Sequence, residues 1–127
     1  MATAERNLKI IHEHMATHIK GYIASAVVNL EDGLAVSKLC TVPEIDCDAI
    51  SVYLSSIVNS HIKTTKIIPG TRETNDISFT TDKNYFIIRI LPSHLVFFYV
   101  MTEEDGRLKS KRSLMEKYEK YVMKTLK

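Results

Sequence analysis

The side chains that could do chemistry gather in two stretches. The first is His12-Glu13-His14, followed by His18. His14 and His18 stand four apart, the spacing that puts two metal ligands on one face of a helix. A zinc-protease pattern needs His-Glu-x-x-His, and the residue four after His12 is Ala16. No carboxylate or cysteine at ligand spacing accompanies the histidines, so they are expected to be surface or boundary residues with no metal. The second stretch holds Cys40 and Cys47, with six residues between them including Pro43, and His61 further on. A thiol nucleophile needs an oriented base, and nothing here marks one. A disulfide between the two is open; two reduced thiols in a cytosolic protein is the reading adopted. The four glycines form neither GxxxxGK nor GxGxxG, so the chain does not itself cradle nucleotide phosphates. There is no Gly-x-Ser-x-Gly elbow. The chain is therefore read as non-enzymatic, with no catalytic residue and no cofactor.

Charge offers one further clue. From Arg107 onward there are eight Lys or Arg and two Glu, whereas residues 1–106 carry nine basic and thirteen acidic side chains. A basic last helix could meet nucleic acid or an anionic membrane. Cations in a helix's C-terminal half also favour its dipole, and Tyr118 and Tyr121 fall on the apolar stripe, away from any stacking surface. A solvated basic face is expected, with no nucleic acid. No secretory leader is visible, because charges and histidines occupy the place of an apolar segment. No apolar run reaches the ~20 residues of a membrane span, and a cytoplasmic location is expected.

These residues need a scaffold. A chain of 127 residues that is 45% hydrophobic suits one domain over 1–127. The organising stretch is Tyr22–Leu39, in which Glu31-Asp32-Gly33 separates two apolar runs. Asp-Gly between such runs signals a hairpin. The first strand is small and apolar on both faces, Ala24 and Ala26 on one and Ser25 and Val27 on the other, as a covered central strand would be. The second, Leu34–Leu39, alternates Leu34, Val36 and Lys38 against Ala35, Ser37 and Leu39. Before the hairpin, Leu8, Ile11, Met15, Ile19 and Tyr22 mark a helix over 3–20, capped by Thr3 and stopped by Gly21. After it, a second helix spans about Asp46–Lys66. Three strands follow in a meander: Asp76–Thr81, Tyr85–Leu91 and His94–Thr102. Turns are expected at Pro69–Asn75 and Pro92-Ser93, and Glu103–Gly106 ends the strand region. The last helix runs over about 108–126. The order is α-β-β-α-β-β-β-α. Hairpin connections make the sheet antiparallel, and its two-sided apolar strands require cover on both faces. The fold class is α+β, a three-layer α/β/α sandwich around a five-stranded antiparallel sheet.

The wheel of the second helix suggests a partner. Cys47, Ile50, Tyr53, Leu54, Ile57 and Val58 share one face, expected in the core. Opposite lie Ala49, Ser51, Val52, Ser55, Ser56, Asn59 and Ser60, almost without charge. A face so small suits close approach by another helix. The third strand has one polar face and is the expected edge, open to pairing with a second chain. A two-fold homodimer would use both, with Val52, Ser55, Ser56, Asn59 and Lys63 in the helical seam and Ile77, Ser78 and Phe79 in the strand pairing.

The element order, the length and the hairpin from Ala26 to Ser37, Ala-Val-Val-Asn-Leu-Glu-Asp-Gly-Leu-Ala-Val-Ser, resemble the Roadblock family of dynein-associated light chains and prokaryotic regulators of Ras-like GTPases. The resemblance covers nearly the whole chain. It implies a non-enzymatic dimer with a continuous ten-stranded sheet and paired second helices, whose helix-bearing face binds a small Ras-like GTPase as activator or scaffold. The longer C-terminal tail of some GTPase-activating members is lacking, which counts against direct stimulation of hydrolysis. The alternative is a profilin-like or longin-like sensory or adaptor domain that binds another protein, or a small ligand in a cavity lined by Tyr85, Phe97 or Tyr99.

Overall fold

The structure, a computed structural model, describes residues 2–70, 76–91, 95–103 and 108–126. Its elements are α1 (Ala2–His18), β1 (Tyr22–Asn29), β2 (Ala35–Cys40), α2 (Cys47–Ile67), β3 (Asp76–Thr80), β4 (Asn84–Leu91), β5 (Val96–Glu103) and α3 (Leu108–Leu126). The expected order is the observed one. The expected turns at Pro69–Asn75 and Pro92-Ser93, and the strand end at Glu103–Gly106, fall wholly or partly outside the described residues.

All strand pairs are antiparallel, in the order β2-β1-β5-β4-β3. β1 is internal and β3 is an edge, both as expected. Alternation sorts the strand residues into two cores. Val27, Ile87, Phe98 and Val100 pack under Leu8, Met15 and Ile19 of α1 and Met115, Tyr118 and Val122 of α3. Ala24, Ala26, Val28, Phe86, Ile88, Phe97 and Tyr99 pack with Cys47, Leu54 and Val58 of α2. Two helices therefore cover one face and one covers the other.

Among the described residues three glycines take the positive φ that L side chains avoid, and two of them join elements of the fold. Gly21, at +76°, turns the chain from α1 into β1, and its carbonyl accepts from Glu103 N. Gly33, at +74°, closes the β1–β2 hairpin, where its N–H donates to Asn29 O at 2.9 Å. Asp46 caps α2, its Oδ1 accepting from Ala49 N at 3.0 Å.

Several expectations are corrected. α1 begins at Ala2, which places Thr3 inside the helix and not at its cap. Tyr121 is half exposed while Tyr118 is buried, because the narrow stripe of α3 turns Tyr121 past the sheet. The simple alternation of β2 is broken: Val28 pairs with Ala35 but Val27 with Ser37, leaving Val36 as an exposed bulge. Ser37 and Leu39 then face α1, and Ala35 and Lys38 face the α2 side. His12 is not a surface residue but is almost fully buried. The hydrophobic stripe of α1 explains this, since His12 follows Leu8 by four and precedes Met15 by three.

An ion cluster secures the sheet edge. The Arg89 guanidinium, on the inner side of β4, lies 3.0 Å from Glu119 of α3 and 3.5 Å from Asp76 of β3. It is the one charged side chain in an otherwise apolar strand, and it is buried between two carboxylates.

Candidate functional site

The wheel of α2 is rotated from its expected orientation. The buried face is Cys47, Ser51, Leu54, Ser55 and Val58. Tyr53 is 72% exposed and Ile57 42% exposed, although both were expected in the core. Serine is the source of the discrepancy. Ser51 Oγ donates to Cys47 O at 2.8 Å, one turn back, and so satisfies itself inside its own helix. A serine bonded in this way behaves as a small apolar residue and can face a sheet.

Its size matters there. α2 lies above Ala24 and Ala26 of β1 and beside the hairpin turn. A Cβ added at Gly33 would stand 3.4 Å from Ser55 Oγ and 3.4 Å from Val52 Cα. The small residues of α2 thus admit the chain's own hairpin. Asn59 reinforces the contact by donating from Nδ2 to Leu30 O at 3.4 Å.

What remains outward is an apolar strip. Val52, Tyr53, Ser56, Ile57, Ser60, Thr64 and Ile67 recur at three- and four-residue spacing and are all exposed, Ile67 to 79%. Lys63 lies beside the strip, also exposed. Leu34, just past the hairpin turn, is exposed as well. A shallow depression along the strip is lined by Ser56, Ile57, Ser60, His61 and Thr64.

The eight residues assigned to an interface therefore divide. Val52, Ser56 and Lys63 lie on the outer surface of α2. Ser55 is only 6% exposed and faces the hairpin, and Asn59 spends its amide on Leu30. Ile77 and Phe79 sit half-buried on the α2 side of β3, with Phe79 stacked on Phe86 at 4.7 Å. Ser78 faces the opposite side, across from Ile87. Tyr53, Ile57 and Ile67 complete the strip and were missed, because a single wheel does not say which of two uncharged faces meets the sheet.

The remaining chemical side chains serve the fold. His12 Nδ1 lies 2.6 Å from Ser25 Oγ, Nε2 lies 2.7 Å from Ser37 Oγ, and Ser25 Oγ lies 2.5 Å from Tyr22 Oη. A bulge at Ile23 turns Tyr22 to this side, where its hydroxyl donates to Leu39 O at 3.2 Å. Counting donors fixes the chain: His12 Nδ1–H donates to Ser25, Ser25 to Tyr22, Tyr22 to Leu39 O, and Ser37 to Nε2. This network pins α1 to β1 and β2. Burial pulls the His12 pKa down to about 4 and pushes Tyr22 well above the ordinary range. Cys40 and Cys47 are both reduced, and burial first, then the neighbouring Cys40 thiol, pushes Cys47 up to about 12. A thiol so reluctant to ionise is a poor nucleophile.

Tyr85, Phe97 and Tyr99 do not share a face of the sheet: all three are buried, Tyr85 under α1 and α3 and the other two on the α2 side. A cavity between the sheet and α1/α3, lined by Ile19, Ile87, Val100 and Met115, holds about 10 Å³, no more than one water. On α3, Lys117, Lys120 and Lys124 are exposed; Arg107, Lys127 and the side chains at 109, 111 and 112 lie outside the described residues. Among the described residues no group of three or more His, Cys, Asp or Glu is placed to hold a metal, and no helix is long and apolar enough to cross a membrane.

No protein-family model matches the sequence, and no curated protein does. Solved structures match the fold. MglB from Thermus thermophilus superposes with a TM-score of 0.82 at 8% identity, over 97% of this chain and 90% of that one. MglB from Myxococcus xanthus gives 0.72 at 18% identity, over 97% and 90%. A Roadblock/LC7 domain from Streptomyces avermitilis gives 0.70 at 8% identity, over 92% and 89%. The layers, strand order and near-complete mutual coverage agree with the resemblance read in the hairpin: this chain has the Roadblock/LC7 fold.

Proposed function

We propose that the chain is a non-catalytic, homodimeric interaction module that docks a small Ras-like GTPase in the cytoplasm. The observation that carries this reading is the outer face of α2. A solvated helix face is normally rich in Lys and Glu. This one exposes Val52, Tyr53, Ile57 and Ile67 with serines between them. The contiguous strip is the kind of surface a partner covers, and the small side chains at 56 and 60 suit a second helix at close range. The unpaired side of β3, at the end of the sheet, supplies a second element for the same two-fold arrangement. The GTPase rests on the family resemblance, and the fold shared with MglB supports it.

Two substitutions test the seam. Ser56→Arg places a long charge on the outer strip and is expected to convert a dimer to a folded monomer in sedimentation equilibrium. Ser55→Arg, one residue away, is expected to disrupt the fold itself, because its side chain meets Gly33. A Ser56→Arg protein that still sediments as a dimer removes the helical seam. Mixing the wild type with a Ras-like GTPase encoded near it, loaded with GDP or with a GTP analogue, tests the partner. Co-elution in neither state removes the GTPase.

A further inference from the structure

The chain has two cysteines, and the fold brings them into one layer. Cys40 ends β2 directly across from Ala24 of β1, on the side of the sheet that faces α2. Cys47 opens α2 and packs back into the same cluster, beside Ala24 and Ala26. The connection between them is firmly held. Thr41 bonds to Ile23 O twice, through its N–H at 2.9 Å and its hydroxyl at 2.8 Å. Ile45 N donates to Val42 O at 3.1 Å, and Asp46 caps α2. The Cys40 thiol donates to Val42 O at 3.2 Å and lies 3.9 Å from Ile45 O, two residues before Cys47. It is also within hydrogen-bonding reach of the Cys47 thiol. The two differ in access: Cys40 is half-buried, whereas Cys47 is only 4% exposed.

We propose that Cys40 and Cys47 form a reversible dithiol–disulfide site, oxidised by a small-molecule disulfide of the glutathione type. The reaction is two successive exchanges. The Cys40 sulfur, as thiolate, attacks one sulfur of the oxidant, whose S–S bond breaks and releases one thiolate. The Cys47 sulfur then loses its proton and attacks the Cys40 sulfur, breaking the mixed disulfide and releasing the second thiolate. Each released thiolate takes up one cysteine proton, so the protein loses two electrons and the oxidant is reduced to two thiols. Cys47 resists outside reagents because burial first, and then the Cys40 thiol, hold its proton on. Modification of Cys40 removes the second of these causes, and the attack that remains takes place within one molecule. The reach is short. Thiols already within hydrogen-bonding reach need only close to an S–S bond of about 2.05 Å. Cys40 sits at a strand end, where its side chain can turn away from Val42 O. The product ties the rim strand β2 to the first turn of α2. Lys38 and Asp48 join the same two elements at 2.6 Å, so the bond closes a junction that already exists.

The test treats the reduced full chain with glutathione disulfide under native conditions and follows it by mass spectrometry. The chain is expected to become about 2 Da lighter, to lose both maleimide-reactive thiols and to stay a single chain on a non-reducing gel. Cleavage after Glu44, which lies between the cysteines, should give two peptides that separate only after reduction. Dithiothreitol should restore both thiols. Cys47→Ala is expected to retain glutathione as a lasting mixed disulfide on Cys40, and Cys40→Ala to leave Cys47 unmodified, because the accessible thiol is gone. Circular dichroism verifies that both variants fold, and the wild-type peptide map decides the matter if either does not. A lasting mixed disulfide on the wild-type Cys40, disulfide-linked chains joined through Cys40, or two thiols still free in excess oxidant would each overturn the site.

Discussion

Among the individual residues, His12 is the one whose burial has the clearest thermodynamic signature. Its imidazole takes up a proton near pH 6.5 when unfolded but only near pH 4 inside the fold. Between those values the unfolded chain carries more protons, so stability rises with pH. The contribution is complete above about pH 6.5 and disappears as the pH falls to about 4. Its full size is about 3 kcal/mol. Urea melts across this range should show the slope, and His12→Gln should flatten it. Gly33 makes a different demand. A methyl group there would meet α2 at 3.4 Å on a backbone that already disfavours it. Gly33→Ala is expected to cost about 1–2 kcal/mol in the same melts. The glycine was legible, since Asp-Gly between apolar runs requires it. His12 was within reach too, since it sits on the stripe between Leu8 and Met15. Its serine partners were not, because Ser25 and Ser37 meet it only after β1 and β2 pair.

The elements were legible in existence and order because each carries its own periodicity. Leu8, Met15 and Ile19 mark α1 whatever the rest of the chain does, and Ile77 and Phe79 mark one side of β3. Orientation was less legible. α2 has two faces poor in charge, and a helical wheel does not show which one a sheet of alanines can accept. The decision lies in Ala24, Ala26 and Gly33, three small residues on another element. Edges behave likewise. β3 is short and half-buried, and Arg89 holds it through Asp76 while reaching Glu119 on α3. Arg89→Met would remove the cation that links Asp76 to Glu119. A loss of about 1–3 kcal/mol is expected, tempered because both acids are partly exposed. Hydrogen exchange should then accelerate first in β3, ahead of β1 and β5.

For the whole molecule, stability and assembly are coupled in the proposed dimer. A partner that binds only the folded chain raises its melting temperature in proportion to the logarithm of concentration. The wild type is expected to melt at a higher temperature as protein concentration rises, and Ser56→Arg to melt at one temperature throughout. The three-layer architecture could be derived from two-sided apolar strands and three amphipathic helices. The face proposed to meet a partner was placed only in part, because Tyr53 and Ile57 come to the outside only when the chain's own hairpin has taken the small face of α2.

The kink at Val36 has a consequence for how far assembly can go. It crimps β2, at one rim of the sheet, while β3 at the other rim pairs in regular register with β4. Chains that add to each other through their straight rims present only crimped ones at the ends of the joined sheet. In the proposed dimer, joined at the β3 rims, growth would therefore stop at two, and an open sheet would be kept from polymerising into fibres.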